Sequence, residues 1–242
     1  MKKKDKVFDQ ADVKIHDFVF NKKVATVFDD MVTRSVPYYL EMQRMTAELA
    51  RDFVTEASHV YDIGCSTGTT LLHMDSYIAP KDVTFIGIDN SYEMLQKAKK
   101  KLGKKLKHPF RLDYCDLHQG LTIENASLVT LILTLQFVRP LQRENIIRQI
   151  YEGLNANGAL IMVEKVTSED TIFNRLFIEH YYDFKRRNGY SEIEIAKKRE
   201  ALENVLIPYR MDENFDLLKR AGFKHVEVFF RWYNFCGIIA VK

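Results

Sequence analysis

Two periodicities divide the chain. Up to residue 57 the apolar positions recur at helical spacing: Val24, Val27, Phe28, Met31 and Val32 share a face, Pro37 interrupts, and a second helix is predicted from about Tyr39 to Phe53. From residue 59 short apolar runs, at 59–63, 83–88, 110–114, 128–135 and 159–163, alternate with amphipathic stretches. In 92–102, Met94, Leu95, Ala98 and Leu102 fall on one helical face; in 142–154, Ile146, Ile147, Ile150 and Leu154 do the same. Strand alternating with helix predicts a parallel sheet covered on both sides. The run 128–135 is apolar throughout except for two threonines, the texture of a central parallel strand.

After residue 170 the alternation stops. Residues 171–206 read as one or two helices rich in aromatic and charged residues, and strands at about 226–230 and 236–241 close the chain. Their connection is short enough for antiparallel pairing. The expected architecture is α/β: a mostly parallel seven-stranded sheet with flanking helices and a helical insertion. In chain terms this is one domain over 1–242, with an N-terminal helical extension over 1–57 and a helical insertion over 171–208.

Composition narrows the classes. A chain of 242 residues suits a single α/β domain, and 46% apolar with 29% charged residues is an ordinary globular balance. A formal charge of +3 is too small by itself to argue for nucleic acid. Cys65, Cys115 and Cys236 are scattered, which speaks against a disulfide framework or zinc ribbon and fits a reducing, cytoplasmic setting. The basic start Met1-Lys-Lys-Lys-Asp5 leads into no apolar run, so no signal peptide is expected. No stretch of about 20 apolar residues is long enough to span a membrane. The seven histidines form no ligand pattern, and no metal is expected.

Open α/β sheets bind ligands at the carboxyl ends of their strands, which directs attention to 63–68, 89–91, Asp116 and the end of the fourth strand. In Val60-Tyr-Asp-Ile-Gly-Cys-Ser-Thr-Gly68 a strand runs into a glycine turn and then a helix. Gly64 lacks the Cβ that would block a ligand over the turn, and backbone N–H groups face that ligand. The spacing is not G-x-G-x-x-G, which weakens a nicotinamide reading; it resembles the glycine loop of adenosylmethionine-dependent enzymes, with Ser66 where many have a second glycine. Asp89 follows Gly64 by 25 residues and ends the second strand, where a carboxylate can accept hydrogen bonds from two ribose hydroxyls. Asn90 and Glu93 fit an N-cap and capping box for the following helix. Asp116 after the third strand can accept from an adenine amino group, and Leu117 can cover the ring. The lysine run from Lys97 to Lys107 reads as a solvated helix face, since acidic residues nearly balance it and no aromatic platform interleaves it.

Beyond this core the chain resembles the carboxy-S-adenosyl-L-methionine synthase (CmoA) family, within the class I methyltransferase superfamily, over nearly its whole length. The resemblance lies in Arg34-Ser-Val-Pro37, Tyr39, Val60-Tyr-Asp-x-Gly-Cys-Ser66, Ile88-Asp-Asn-Ser91, Thr134-Leu-Gln-Phe137, Asp183-Phe-Lys-Arg186, Asn188-Gly-Tyr-Ser191, Lys198-Arg199 and Leu202-Glu-Asn-Val205. It implies a Rossmann-like class I methyltransferase fold and S-adenosyl-L-methionine as substrate, held by Tyr39, Gly64, Cys65, Ser66, Asp89, Asn90, Asp116 and Leu117. It implies an unusual reaction, carboxyl transfer from prephenate to the sulfonium methyl, with phenylpyruvate released and Arg199 gripping the new carboxylate. A guanidinium can do this bidentately where lysine cannot. It also implies a homodimer, consistent with apolar faces on 14–55 and 171–206 beyond what one sheet needs. The product would pass to a partner enzyme that builds the 5-oxyacetyl group on the wobble uridine of tRNA, with no direct tRNA binding expected here. The chain departs from the family at Ile132, where an asparagine is usual. An ordinary small-molecule methyltransferase explains the cofactor motifs equally well but leaves the Arg199 region without a role, and a non-catalytic RNA-binding protein rests on the lysine run alone. Trp232, Tyr233, Asn234 and Phe235 read as apolar cover without chemistry.

Overall fold

The computed structural model describes residues 4–9, 17–79 and 82–242. Helix α1 (Lys22–Ser35) begins at Asn21, whose side-chain oxygen accepts from the N–H groups of Lys23 and Val24. The chain turns at Pro37 and at Tyr38, in the left-handed region, into α2 (Tyr39–Phe53). Within 1–57, helices occupy 22–35 and 39–53; residues 4–9 and 17–21 are not helical, and 1–3 and 10–16 lie outside the described residues.

The alternation then follows: β1 (Ser58–Ile63), α3 (Thr69–Asp75), β2 (Val83–Asp89), α4 (Tyr92–Lys105), β3 (Phe110–Tyr114), β4 (Ala126–Ile132), α5 (Pro140–Gly153) and β5 (Leu154–Thr167). Helices α6 (Thr171–Arg187) and α7 (Glu192–Leu202) come next, and then the two-residue β6 (Tyr209–Arg210), α8 (Met211–Ala221), β7 (His225–Trp232) and β8 (Phe235–Val241). The sheet order is β3-β2-β1-β4-β5-β8-β7. β1 to β5 run parallel, and β8 lies antiparallel between β5 and β7. The seven expected strands are present; β6, paired with the end of β5, is an eighth that its brevity hides in the sequence.

Alternating side chains send each strand to two cores. On one face Ile63, Ile88, Leu131 and Leu160 pack with Ile146, Ile147 and Ile150 of α5 and Leu217 and Leu218 of α8. On the other, Val60, Phe85, Leu128 and Ile161 meet Ala47 and Ala50 of α2, Leu71 and Met74 of α3, and Ala98 and Leu102 of α4.

The fourth strand is shorter than its apolar run. It ends at Ile132, Leu133 enters the left-handed region at φ 58°, and 135–137 form a 3-10 turn. Glu164 of β5 is the reason. Its buried carboxylate accepts from the N–H groups of Thr134 (3.2 Å), Leu135 (2.9 Å) and Gln136 (2.7 Å), supplying partners that a strand neighbour would otherwise provide. Burial pushes its pKa up to about 8, against the pull of Arg143 and the three N–H groups.

Candidate functional site

The glycine turn after β1 is built by close approach. Gly64 has φ +74°, and a Cβ there would collide with the Thr134 side chain from the end of β4. The N–H groups of Gly64 and Cys65 both donate to the Ile88 carbonyl (2.7 and 3.0 Å), which seats the turn against β2. Ser66, standing where glycine is common, takes φ 48°, in the region that favours glycine.

Asp89 organises this crossing. Its Oδ2 accepts from the Ser66 N–H at 2.9 Å and its Oδ1 from the Ser91 N–H at 2.8 Å, and the residue is 9% exposed. Burial raises its pKa; the Ser66, Ser91 and Asn90 N–H groups oppose the rise. By holding Ser91 extended, Asp89 makes Ser91 the N-cap of α4, with Oγ accepting from the Met94 N–H at 3.3 Å. The cap expected at Asn90 is therefore one residue later, and Asn90 stands exposed on the cavity wall. Asp116 accepts through Oδ1 from the backbone N–H (3.0 Å) and lies 2.9 Å from the ring Nδ1 of His118; the backbone bond, then the ring, keep its pKa low. Leu117 opens the following 3-10 turn.

Helix α1 is pinned to the glycine loop. Lys101 Nζ donates to Asp29 (2.9 Å), Thr67 (2.8 Å) and Thr69 (3.0 Å), and the Thr67 hydroxyl donates to Asp29. The lysine run is thus only partly a solvated face: Lys97 donates to the Ala25 carbonyl and Lys101 turns inward, while Lys99, Lys100, Lys104, Lys105 and Lys107 are exposed.

Tyr39, Gly64, Cys65, Ser66, Asp89, Asn90, Asp116, Leu117 and Arg199 all line one cavity of about 1210 Å³ at the carboxyl ends of the strands. Tyr39 is buried, and burial, reinforced by Asp62 and Asp29, raises its hydroxyl pKa. Arg199, in the last turn of α7, is exposed and has no hydrogen bond or ion pair among the described residues. Glu192, at the start of the same helix, is bound to Arg186 at 2.5 Å. Ile132 closes the wall at the end of β4.

Sequence reading missed the far end of the cavity. Lys165, Tyr181, Tyr182, Lys185 and Phe235 line it, so Phe235 is more than strand cover. The available signal was Lys165, two residues after the apolar run of β5, and Lys185 inside Asp183-Phe-Lys-Arg186. It also missed residues 18–21, which line the cavity: the Phe18 N–H donates to the Ala201 carbonyl, the Phe20 carbonyl accepts from the Ser91 hydroxyl, and the Phe20 ring meets Phe137 edge-on at 5.4 Å.

A methyltransferase-domain family model matches residues 60–158. The carboxy-S-adenosyl-L-methionine synthase of Methylococcus capsulatus is 55% identical over 240 residues, covering 99% of both chains. That of Desulfotalea psychrophila is 45% identical over 243 residues, covering 99% of this chain and 98% of its own. Among solved structures, an O-methyltransferase family protein from Burkholderia thailandensis superposes with a TM-score of 0.68 at 15% identity over 92% of this chain and 60% of that one. An S-adenosylmethionine-dependent methyltransferase from Aquifex aeolicus gives 0.59 at 17% identity over 92% and 99%. These two likenesses are of fold: a class I methyltransferase sheet.

Proposed function

The chain belongs to the carboxy-S-adenosyl-L-methionine synthase family, and from that premise we propose that it moves the carboxyl group of prephenate onto the methyl group of S-adenosyl-L-methionine. The donor set fits the nucleoside. Asp89 presents a carboxylate at the end of β2 for the ribose hydroxyls, Asp116 leaves Oδ2 open toward the adenine amino group, and Leu117 lies beside it on the cavity wall. With the ribose at β2, the cavity continues past the ends of β1 and β4, where Tyr39 and Ile132 line it and the sulfonium end has room.

The observation that carries the reading is Arg199: a guanidinium on the wall of the same cavity, without an ion-pair partner among the described residues and able to hold a carboxylate in two parallel hydrogen bonds. In the proposed reaction the bond from the prephenate ring to its carboxyl carbon breaks and the ring hydroxyl leaves as hydroxide. That base takes a proton from the sulfonium methyl to give water, and the methyl carbon bonds to the released carbon dioxide. Phenylpyruvate and carboxy-S-adenosyl-L-methionine result. The methyl carbanion must be kept dry, and apolar and aromatic side chains of residues 18–20, α2 and α6 line much of the cavity.

The product would then serve an enzyme that modifies the tRNA wobble uridine, and the setting would be cytoplasmic. Among the described residues no helix is long and apolar enough to cross a membrane. A homodimer is supported by Ile172, Phe173 and Leu176, which α6 leaves exposed. Mass spectrometry after incubation with adenosylmethionine, with and without prephenate, tests the reaction. A species heavier by one carbon dioxide, formed only with prephenate, is expected. Adenosylmethionine that binds but stays unaltered, or a methyl group appearing on a third molecule, would return the chain to ordinary methyl transfer.

A further inference from the structure

Three lysines from three elements meet at the β5 end of the cavity. Lys165 follows the core of β5, Lys185 lies near the end of α6, and Lys198 lies in α7; all three line the cavity, and the latter two are 5% and 8% exposed. Lys165 and Lys185 place their ammonium groups over the same ring, 5.3 and 4.4 Å from the centre of Tyr181. Lys198 reaches the Ser35 hydroxyl at 3.4 Å, and Ser35 in turn accepts from the Tyr181 hydroxyl through its carbonyl at 2.9 Å. None of the three makes an ion pair among the described residues. Asp5, the acid nearest in effect to Lys198, accepts from the Tyr190 hydroxyl at 2.7 Å.

Such an arrangement is costly by itself. Buried cations are ordinarily paired; among the described residues Asp5 and Glu194 act on Lys198 without forming an ion pair with it, no acid acts on Lys165 or Lys185, and the three lysines repel one another. Lys185 also lies 5.9 Å from the Tyr182 ring and Lys198 5.6 Å from the Tyr190 ring, and such ring contacts offset only part of the cost of a buried cation. Burial lowers the pKa of each, and Lys185 is further depressed by Lys198 and Lys165. The missing counter-charge belongs to a ligand that fills the cavity beside the nucleoside. Lys165 stands at β5, three strand spacings or roughly 14 Å from Asp89 at β2. That separation places the lysines beyond the nucleoside, on the side where a second substrate would approach the sulfonium.

We propose that Lys165, Lys185 and Lys198 form the subsite that holds the two carboxylates of a cyclic dicarboxylate co-substrate, with the Tyr181 and Tyr182 rings as the wall against its ring. The assignment rests on the carboxyl-transfer reading above and extends it to residues that discriminate a dianion from a monocarboxylate. Arg199 takes no part in it, being reserved for the carboxylate that forms on the methyl carbon.

The test uses the full-length enzyme and the variants Lys185→Gln, Lys165→Gln and Lys185→Arg. With adenosylmethionine saturating, each glutamine variant is expected to raise the KM for prephenate by about tenfold to a hundredfold, the loss of one charge-assisted contact. The Kd for adenosylmethionine should stay within about twofold, and Lys185→Arg should recover part of the loss. Removing an uncompensated buried cation should leave thermal stability equal or higher, which separates the effect from misfolding. An unchanged KM, or a Kd for adenosylmethionine that rises in step with it, would overturn the subsite while leaving the reaction intact. If the wild type binds adenosylmethionine but converts no prephenate, the reaction reading fails. The subsite is then judged by calorimetry of the adenosylmethionine complex with phenylsuccinate and with phenylacetate. Tighter binding of the dicarboxylate, abolished by Lys185→Gln, upholds it; equal binding by the wild type refutes it.

Discussion

Lys101 Nζ sits 2.9 Å from the Asp29 carboxylate, joining α4 to α1 directly over Thr67 and Thr69 of the glycine loop. Burial pushes the Asp29 pKa up, but the Thr67 hydroxyl and the Lys101 ammonium outweigh it and leave the pKa below its ordinary value. A depressed folded pKa means stabilisation that is present above the unfolded value of 3.8 and lost as the pH falls through the folded one. Lys101→Met should cost about 1 kcal/mol at neutral pH, since the pair is only partly buried, and the deficit should vanish in acid. Urea midpoints of wild type and variant at pH 7 and pH 3 check both halves; a deficit unchanged at pH 3 argues against the ion pair as its source.

Asp89 has two tasks, holding the Ser66 and Ser91 N–H groups and facing the ribose position. Asp89→Ala should weaken adenosylmethionine binding by at least about tenfold, a charge-assisted hydrogen bond being worth about 1.5–3 kcal/mol. Calorimetric titration measures it, and an unaltered Kd would show that the ribose lies elsewhere.

Arg199 touches nothing among the described residues that needs it for folding. Arg199→Ala should therefore bind adenosylmethionine as the wild type does and yield no carboxylated product. Product formation at the wild-type rate would remove this residue from the site. Arg199→Lys should recover little, because a point charge cannot replace a two-pronged grip.

Asp62 of β1 is 1% exposed, accepts from the Thr130 hydroxyl at 2.7 Å, and has no partner at Oδ2 among the described residues. Burial, with a contribution from Asp89, pushes its pKa up to about 7 despite the Thr130 bond. The folded protein thus holds this proton more tightly than the unfolded chain. Stability falls as the pH rises from about 3.8 to about 7 and levels off above, at a rate approaching 1.4 kcal/mol per pH unit within that window. Asp62→Asn removes the titration, so its melting temperature relative to wild type should improve between pH 5 and pH 8. Parallel curves at the two pH values would rule out this assignment.

Gly64→Ala faces both a positive φ and the Thr134 side chain. The cost should be about 1–3 kcal/mol, with weaker adenosylmethionine binding as the β4 loop is displaced. Thermal melts with and without adenosylmethionine distinguish this from a harmless substitution, for which neither would move.

What the chain discloses without its structure is what local periodicity and spacing encode. The alternation of apolar runs with amphipathic stretches gave the parallel sheet because each strand and helix must bury its own face, and that requirement is written within about ten residues. The same holds for Gly64 and Asp89, whose roles depend on positions at the ends of adjacent strands. Family resemblance was needed to single out Arg199 from other helical arginines, since nothing in its neighbourhood distinguishes it. The remaining features depend on residues distant in sequence, whose meeting no local pattern records. Glu164 stops β4 from a neighbouring strand, and Lys101 turns out of an ordinary lysine run because α1 packs across it. Lys165, Lys185 and Lys198 lie on β5, α6 and α7, and each reads separately as a solvated charge. Only the packing of α6 against β5 and β8, with α7 beside α6, buries them together, and burial is what turns three common surface residues into a concentrated field.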